Sequence, residues 1–391
     1  MSAARTYYLF FALIHIGMGA TVTAYTPFLQ ETVGLSLAEI GLVNTVFWAV
    51  LILSELPTGM LADGKSRAFS LKVGALFFGA GALAYTQATD FFSAAMAESL
   101  IGVGGAFVSG AGTAWIADAL HREGRAEELS HVYATESLIK SVLLLLGGFV
   151  GVSISLVDPR LIWVPFAVSA PLAALVAHKL MNGQGEPLEY VGELMAFRLA
   201  LRQLLRSRAL LWVIAALMCF GPVIAFNHYW AIYFKAQVGQ VGLAYIWPVI
   251  YLGLIAGAQL IRRLRVPQGS EANLIVLALV LTGSGLMITA SVHGLWFSLP
   301  AVVLHEFGRG LFQPLTDSFV QHRVESSYRA TFGSLQSFLG RMGFAIVPLV
   351  VWVFIVDKPN SQETIQSVWI ICGSVITLSA VGLWFTRPRA R

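Results

Sequence analysis

The sequence predicts an all-α polytopic membrane protein of twelve transmembrane helices in two pseudo-symmetric six-helix halves. Three observations lead there. Of 391 residues, 57% are hydrophobic and only 12% charged, about half the charge of a soluble globular domain, too little to cover a surface that faces water. Apolar runs of about 20 residues, the length that crosses a bilayer, recur along the chain between clusters of charge, glycine and proline. The two halves also correspond. Gly124-Arg125-Ala126 before the fifth run matches Tyr328-Arg329-Ala330 before the eleventh, and GVGGAF (Gly102 to Phe107) falls on EFGRGL (Glu306 to Leu311) at the same offset of 204.

Hydropathy with breaks at charged and Gly/Pro clusters gives spans at 6–29, 37–62, 69–88, 91–119, 126–156, 160–181, 208–236, 241–263, 270–293, 295–322, 328–356 and 363–386. The first run follows a single arginine, Arg5, is longer than a signal-peptide core and shows no small-residue cleavage site, so it reads as a retained helix. Residues 1–181 form the first half, 182–207 a linker and 208–391 the second half. The linker opens with polar NGQGEPLEY. It continues as LMAFRLALRQLLRSR, with apolar residues at helical spacing and arginines on the other face, an amphipathic helix lying on the inner leaflet.

Orientation follows from lysine and arginine. Nineteen of the 25 lie at the termini and in the loops that follow even-numbered spans, or just beside them; Arg160, Lys235 and Lys358 lie on the other side. The positive-inside rule then places both termini in the cytoplasm. The remaining three, Lys140, Arg309 and Arg341, fall inside spans.

Several classes are excluded. Cys219 and Cys372 both sit in apolar runs, so there is no disulfide framework and no zinc spacing. The net charge of +4 is no nucleic-acid signal, because the basic residues lie between spans. No P-loop, HExxH, GxSxG or CxxC motif occurs. No enzyme and no cofactor is expected. Two six-helix halves joined by a cytoplasmic loop match the layout of transporters that rock two repeats around a midplane site. The partners expected are a small-molecule substrate, protons and the bilayer, for a monomer.

The turn between the second and third spans reads GMLADGKSR (Gly59 to Arg67). Lys65 and Arg67 obey the positive-inside rule, but Gly59 and Asp63 need another reason. A glycine lets two helices approach closely. A carboxylate is favoured at the positive N-terminus of another helix, and Arg67 can pair bidentately with a carboxylate such as Asp118. This turn, followed by Leu71 and preceded by Glu55-Leu56-Pro57-Thr58, resembles the signature between helices two and three of the major facilitator superfamily, with Ser66 in place of its second glycine and Ala68 in place of a common basic residue. SGAGTAWIADAL, ending span four with Asp118, fits the same family, and the resemblance covers essentially the whole chain. It implies that Gly59, Asp63, Arg67 and Asp118 form a latch of the outward-facing state, received by the start of span eleven. The equivalent turn of the second half, GAQLIRRLRVPQG, has Ile261 where the aspartate would fall, so a second latch is absent or altered.

Charges inside spans cost roughly 2.5–3.5 kcal/mol each and mark sites. Glu136 and Lys140 of span five share a face at i and i+4, Arg309 lies in span ten with Glu306 three residues before it, and Arg341 lies in span eleven. They read either as a substrate or coupling constellation or, for Glu136 and Lys140, as a self-neutralising pair. His228, Tyr229 and Trp230 of FNHYW join polar and aromatic groups suited to a drug-sized cavity or to the outer interface belt. Glu98, Glu136, Glu306, His15 and Glu55 are the candidates for proton coupling, with His305 a further histidine inside a span. Proton-coupled export of a small organic molecule across a bacterial cytoplasmic membrane is expected; the alternative is proton-coupled import of an anionic solute such as a carboxylate, peptide-like compound or iron chelate. Drug/proton antiporters of the superfamily carry a Gly-Pro-rich signature in helix five, where this chain reads SLIKSVLLLLGGFVGVS without proline.

Overall fold

A computed structural model describes residues 2–64, 66–183, 193–263, 269–324 and 329–388. The chain divides into two compact units, one of residues 1–190 with Val238–Ala244, the other of Val191–Gln237 with Tyr245–Arg391.

The first unit holds α1 (Ala3–Gly19), α2 (Tyr25–Glu31), α3 (Leu37–Gly64), α4 (Arg67–Thr86), α5 (Phe91–Arg122), α6 (Leu129–Ser155) and α7 (Val164–Val176). A 3₁₀ turn precedes α6, another leads into α7, and a π turn, Ala177–Met181, extends α7. Short polar residues start these helices. Ser36 and Glu39 form a reciprocal box ahead of α3, the Ser66 hydroxyl accepts from Phe69 N–H at the start of α4, and Asp90 and Ser93 cap each other's backbone at the start of α5.

The first expected span is not one helix. It breaks between Gly19 and Tyr25, where Thr21 Oγ1 donates to the Met18 carbonyl at 2.8 Å and Thr23 Oγ1 donates to the Gly148 carbonyl of α6 at 2.9 Å. These hydroxyls offer the backbone hydrogen bonds that compete with helix continuation. The break sits where α1 meets α6 with almost no side chain between them: a Cβ on Gly147 would strike the Gly19 backbone, and one on Gly151 the Ala20 carbonyl.

The second unit holds α8 (Glu193–Arg206), α9 (Arg208–Phe220), α10 (Ile224–Arg263) apart from its Val238–Ala244 stretch, α11 (Glu271–Ser291), α12 (Leu295–Gln321), α13 (Arg329–Ile355) and α14 (Gln362–Thr386). A 3₁₀ turn at Gly221–Val223 joins α9 to α10. α10 is two helices meeting at Gly239, whose φ of +70° lies in the left-handed region glycine adopts freely. With α1–α2 as the first span, and α9 and the two parts of α10 as the seventh and eighth, the helices supply the twelve expected spans, and α8 falls within the stretch expected as the linker. Among the described residues nine helical stretches are long and apolar enough to cross a membrane, and one of them, Arg208–Arg263, holds two spans. The first span, divided by its break, and α12, rich in polar residues, complete the set.

The duplication recurs in the packing. A Cβ on Gly104 of α5 would lie 2.8 Å from the Gly74 carbonyl of α4 by way of its reciprocal close approach, and one on Gly308 of α12 would lie 2.8 Å from the Ala278 carbonyl of α11. A Cβ on Gly81 would lie 2.9 Å from the Ala97 carbonyl, and one on Gly285 2.9 Å from that of Ala301. Each residue of one set is 204 positions from its counterpart, so the two third–fourth helix pairs close on equivalent backbone positions.

Candidate charged sites within the spans

In the second unit the charged residues meet on α12. Arg309 Nη1 donates to Glu306 Oε1 at 2.7 Å, one turn back along the helix, and to Asn227 Oδ1 of α10 at 2.9 Å. The Glu306 side chain is 1% exposed and that of Arg309 18%. A buried carboxylate is therefore neutralised by a partly exposed guanidinium that also holds the exposed Asn227. Behind Glu306 lies His305. Its Nδ1 is 2.8 Å from the Thr282 carbonyl of α11, which requires the proton on Nδ1. Its Nε2 lies 3.8 Å from Glu306 Oε1. The small residues of α12 make this possible, since Gly308 presses on α11 and Gly310 on the Leu254 backbone of α10, bringing the three helices together around residues 305–309.

Arg341 is half-buried on α13. Nearer the end of α12, Asp317 accepts from Gln313 Nε2 at 2.9 Å and from Gln336 Nε2 of α13 at 3.3 Å. His228, Tyr229 and Trp230 are buried. Trp230 stacks on Trp247 with ring centroids 5.7 Å apart, and Trp247 meets Tyr251 at 5.0 Å. The exposed polar member of FNHYW is Asn227, which the sequence alone does not single out. At the end of α12, His322 Nδ1 lies 2.9 Å from the buried Glu271 carboxylate at the start of α11, another partner set not anticipated.

In the first unit, Glu136 of α6 pairs with His15 of α1, Nε2 to Oε1 at 2.8 Å. The self-neutralising pair, one of the two readings of Glu136 and Lys140, does not form among the described residues: an imidazole from the neighbouring helix takes the carboxylate, and Lys140 is exposed. Phe11 flanks His15 with ring centroids 6.0 Å apart. Glu98 of α5 lies apart from this pair, buried, accepting a short hydrogen bond from the Tyr85 hydroxyl, which in turn is 3.1 Å from that of Tyr25. Trp163 stacks flat on Tyr85 with centroids 4.0 Å apart and closes the cluster. Glu55 is half-buried on α3.

At the turn between α3 and α4, Arg67 pairs with Asp118 of α5, and its Nη1 donates to the Ala114 carbonyl at 2.7 Å. The guanidinium thus binds the end of α5 twice. Among the described residues nothing lies within 4 Å of a Cβ placed on Gly59, so the close helix approach expected of that glycine has no partner there. The Asp63 side chain and residues 325–328, before α13, lie outside the described residues. A cleft of about 530 Å³, lined by Ser2, Arg5, Tyr8, Arg125, Glu128 and His131, opens at the N-terminal end of α1, about 15 Å along the helix from His15. Arg125 is bound there to Glu128 and Glu123 at 2.7 and 3.0 Å. The Glu128 hydrogen bond, then its charge, holds the guanidinium protonated above its ordinary range.

The sequence profile of the Major Facilitator Superfamily matches residues 7–348. The Escherichia coli K12 protein YdeE, described as an uncharacterized MFS-type transporter, is 22% identical over 387 residues, covering 94% of this chain and 93% of that protein. Among solved structures, the nucleoside transporter NupG superposes with a TM-score of 0.78 at 13% identity, covering 99% of each chain. An auto-inhibited POT family peptide transporter gives 0.74 at 12% identity, covering 100% of this chain and 98% of the other. An inward-facing, unoccupied bacterial homologue of the human lysosomal transporter Spinster gives 0.70 at 14%, covering 98% and 94%. At these identities the likeness is one of fold.

Proposed function

Because the chain belongs to the major facilitator superfamily and is a multi-pass secondary transporter, we propose that it carries a small organic anion together with a proton. The observation that carries this reading is the Arg309–Glu306 pair, with its carboxylate buried and its guanidinium partly exposed and bonded to the exposed Asn227. An anion that binds Arg309 draws the guanidinium from Glu306. A buried carboxylate deprived of its cation is strongly disfavoured in the charged form. Glu306 then takes a proton, and His305 Nε2, 3.8 Å away, offers a neighbouring proton acceptor. Binding of the anion and binding of the proton therefore favour each other, and linkage makes that help reciprocal.

Mutual support between anion and proton is the signature of symport. It favours import over the export that the sequence first suggests, in keeping with the absence of proline from helix five. Export keeps one specific observation. Glu136, paired to His15 at 2.8 Å, is a group for which a cationic solute and a proton would compete. In this reading the two six-helix halves alternate around the midplane charges, both termini lie in the cytoplasm, and Arg67 with Asp118 and Asp63 belongs to a latch that steadies one of the two states.

A thermal-shift screen of the purified chain against organic anions, organic cations and neutral metabolites at acid and neutral pH tests the reading. Stabilising ligands should be anions that act more strongly at acid pH. Cations that act more strongly at neutral pH would replace symport with exchange.

A further inference from the structure

We propose that the exposed face of α8 and the first turn of α9 bind the anionic headgroups of inner-leaflet lipids. The inference rests on the cytoplasmic placement of the linker and is independent of cargo. Arg198, Arg202 and Arg206 are all exposed and follow one another at intervals of four, so they lie within about 80° of arc on one side of the helix. Arg208, opening α9, is exposed as well. Among the described residues none of the four takes part in an ion pair. Among the described residues the four guanidinium groups are thus exposed and without an ion-pair partner.

The opposite side of α8 is fixed to its own unit. Leu204 is 4% exposed and belongs to the apolar core with Leu210, Val213, Phe332 and Leu335. Gln203 Nε2 donates to the Arg323 carbonyl at 3.2 Å, where α12 ends. Between the anchored side and the arginine side lies Leu205, 64% exposed. A row of arginines edged by an exposed leucine fits a partner with phosphates above and hydrocarbon beneath, which is a bilayer surface. One free phosphate is too small to use it, because residues 198 and 206 are about 12 Å apart along α8.

The test uses the purified full chain in detergent, titrated with phosphatidylglycerol, phosphatidylcholine or inorganic phosphate, with the thermal midpoint as readout. Phosphatidylglycerol alone should raise the midpoint, and added salt should suppress the effect. Single substitutions Arg198→Gln, Arg202→Gln, Arg206→Gln and Arg208→Gln should each weaken apparent affinity for phosphatidylglycerol by about fivefold, with affinity for phosphatidylcholine unchanged. An equal shift with phosphatidylcholine or with inorganic phosphate, or a shift indifferent to salt, would overturn the proposal, and those arms need only the unaltered chain. Variants that fold and keep full affinity for phosphatidylglycerol would overturn it too.

Discussion

His15 Nε2 and Glu136 Oε1 lie 2.8 Å apart and join α1 to α6 beside the break that divides the first span. Removing either partner leaves the other partly buried without its hydrogen bond, at a cost of about 1–3 kcal/mol. His15→Ala and Glu136→Ala should each lower the thermal midpoint, and the double variant should fall by less than the two single losses together. Lys140→Ala should change stability by less than about 0.5 kcal/mol, because Lys140 is exposed and shares no ion pair with Glu136. Thermal denaturation of the four variants in detergent checks the set.

Arg67 holds both the Asp118 carboxylate and the Ala114 carbonyl. Asp118→Asn removes the charge, and Arg67→Gln leaves Asp118 without its cation. Either should cost about 3 kcal/mol or more. Arg67→Lys should recover only part of this, because one ammonium lacks the planar fork that serves two acceptors. Accessibility of single cysteines introduced at the two ends of the spans, compared between the unaltered chain and Asp63→Asn, tests the latch role; unchanged labelling would count against it.

The glycines divide sharply. Gly151→Ala would drive a methyl group into the Ala20 carbonyl and should cost about 1–3 kcal/mol. Gly59→Ala meets nothing within 4 Å among the described residues and should be neutral or gain up to about 1 kcal/mol of helix propensity. Comparing the two variants by thermal midpoint separates glycines that let helices touch from one that does not.

Asp90 caps α5 from outside the span. The Ser93 backbone N–H, and then its hydroxyl, hold the carboxylate below the usual aspartate range. A folded-state pKa that lies below the unfolded value adds stability above the unfolded pKa, and that stability is lost as pH falls through the folded one. Asp90→Asn should therefore be less stable than the unaltered chain at neutral pH, and the difference should shrink below the ordinary aspartate range. A difference that stays constant across that range would contradict the assignment.

Spans and motifs were legible because each leaves a local mark. Twelve apolar runs, the offset of 204 and the GMLADGKSR turn need only neighbouring residues to be seen. The paired third and fourth helices even meet at the corresponding positions, Gly104 and Gly308. Partner choice across helices was not legible. Glu136 and Lys140 looked like a pair because i and i+4 are adjacent on one helix, yet His15, 121 residues away in sequence, reaches the carboxylate instead. Likewise His228 and Tyr229 were candidates in FNHYW, yet the turn of α10 buries them and leaves Asn227 at Arg309. The first span looked continuous because its threonines are compatible with a helix until the α6 backbone offers Thr23 a carbonyl. Glu306 with Arg309 was the exception, since the contact spans three residues of one helix.

The central claim, that an anion at Arg309 and a proton on Glu306 favour each other's binding, is tested most directly by the pH dependence of ligand affinity. The strongest anion found in the thermal-shift screen should bind the unaltered chain up to about tenfold more tightly for each unit of acidification, the limit for uptake of one proton. In Glu306→Gln, where the carboxylate is replaced by a permanently neutral group, affinity should be high and independent of pH. A Glu306→Gln variant that kept the full pH slope of the unaltered chain would contradict the account.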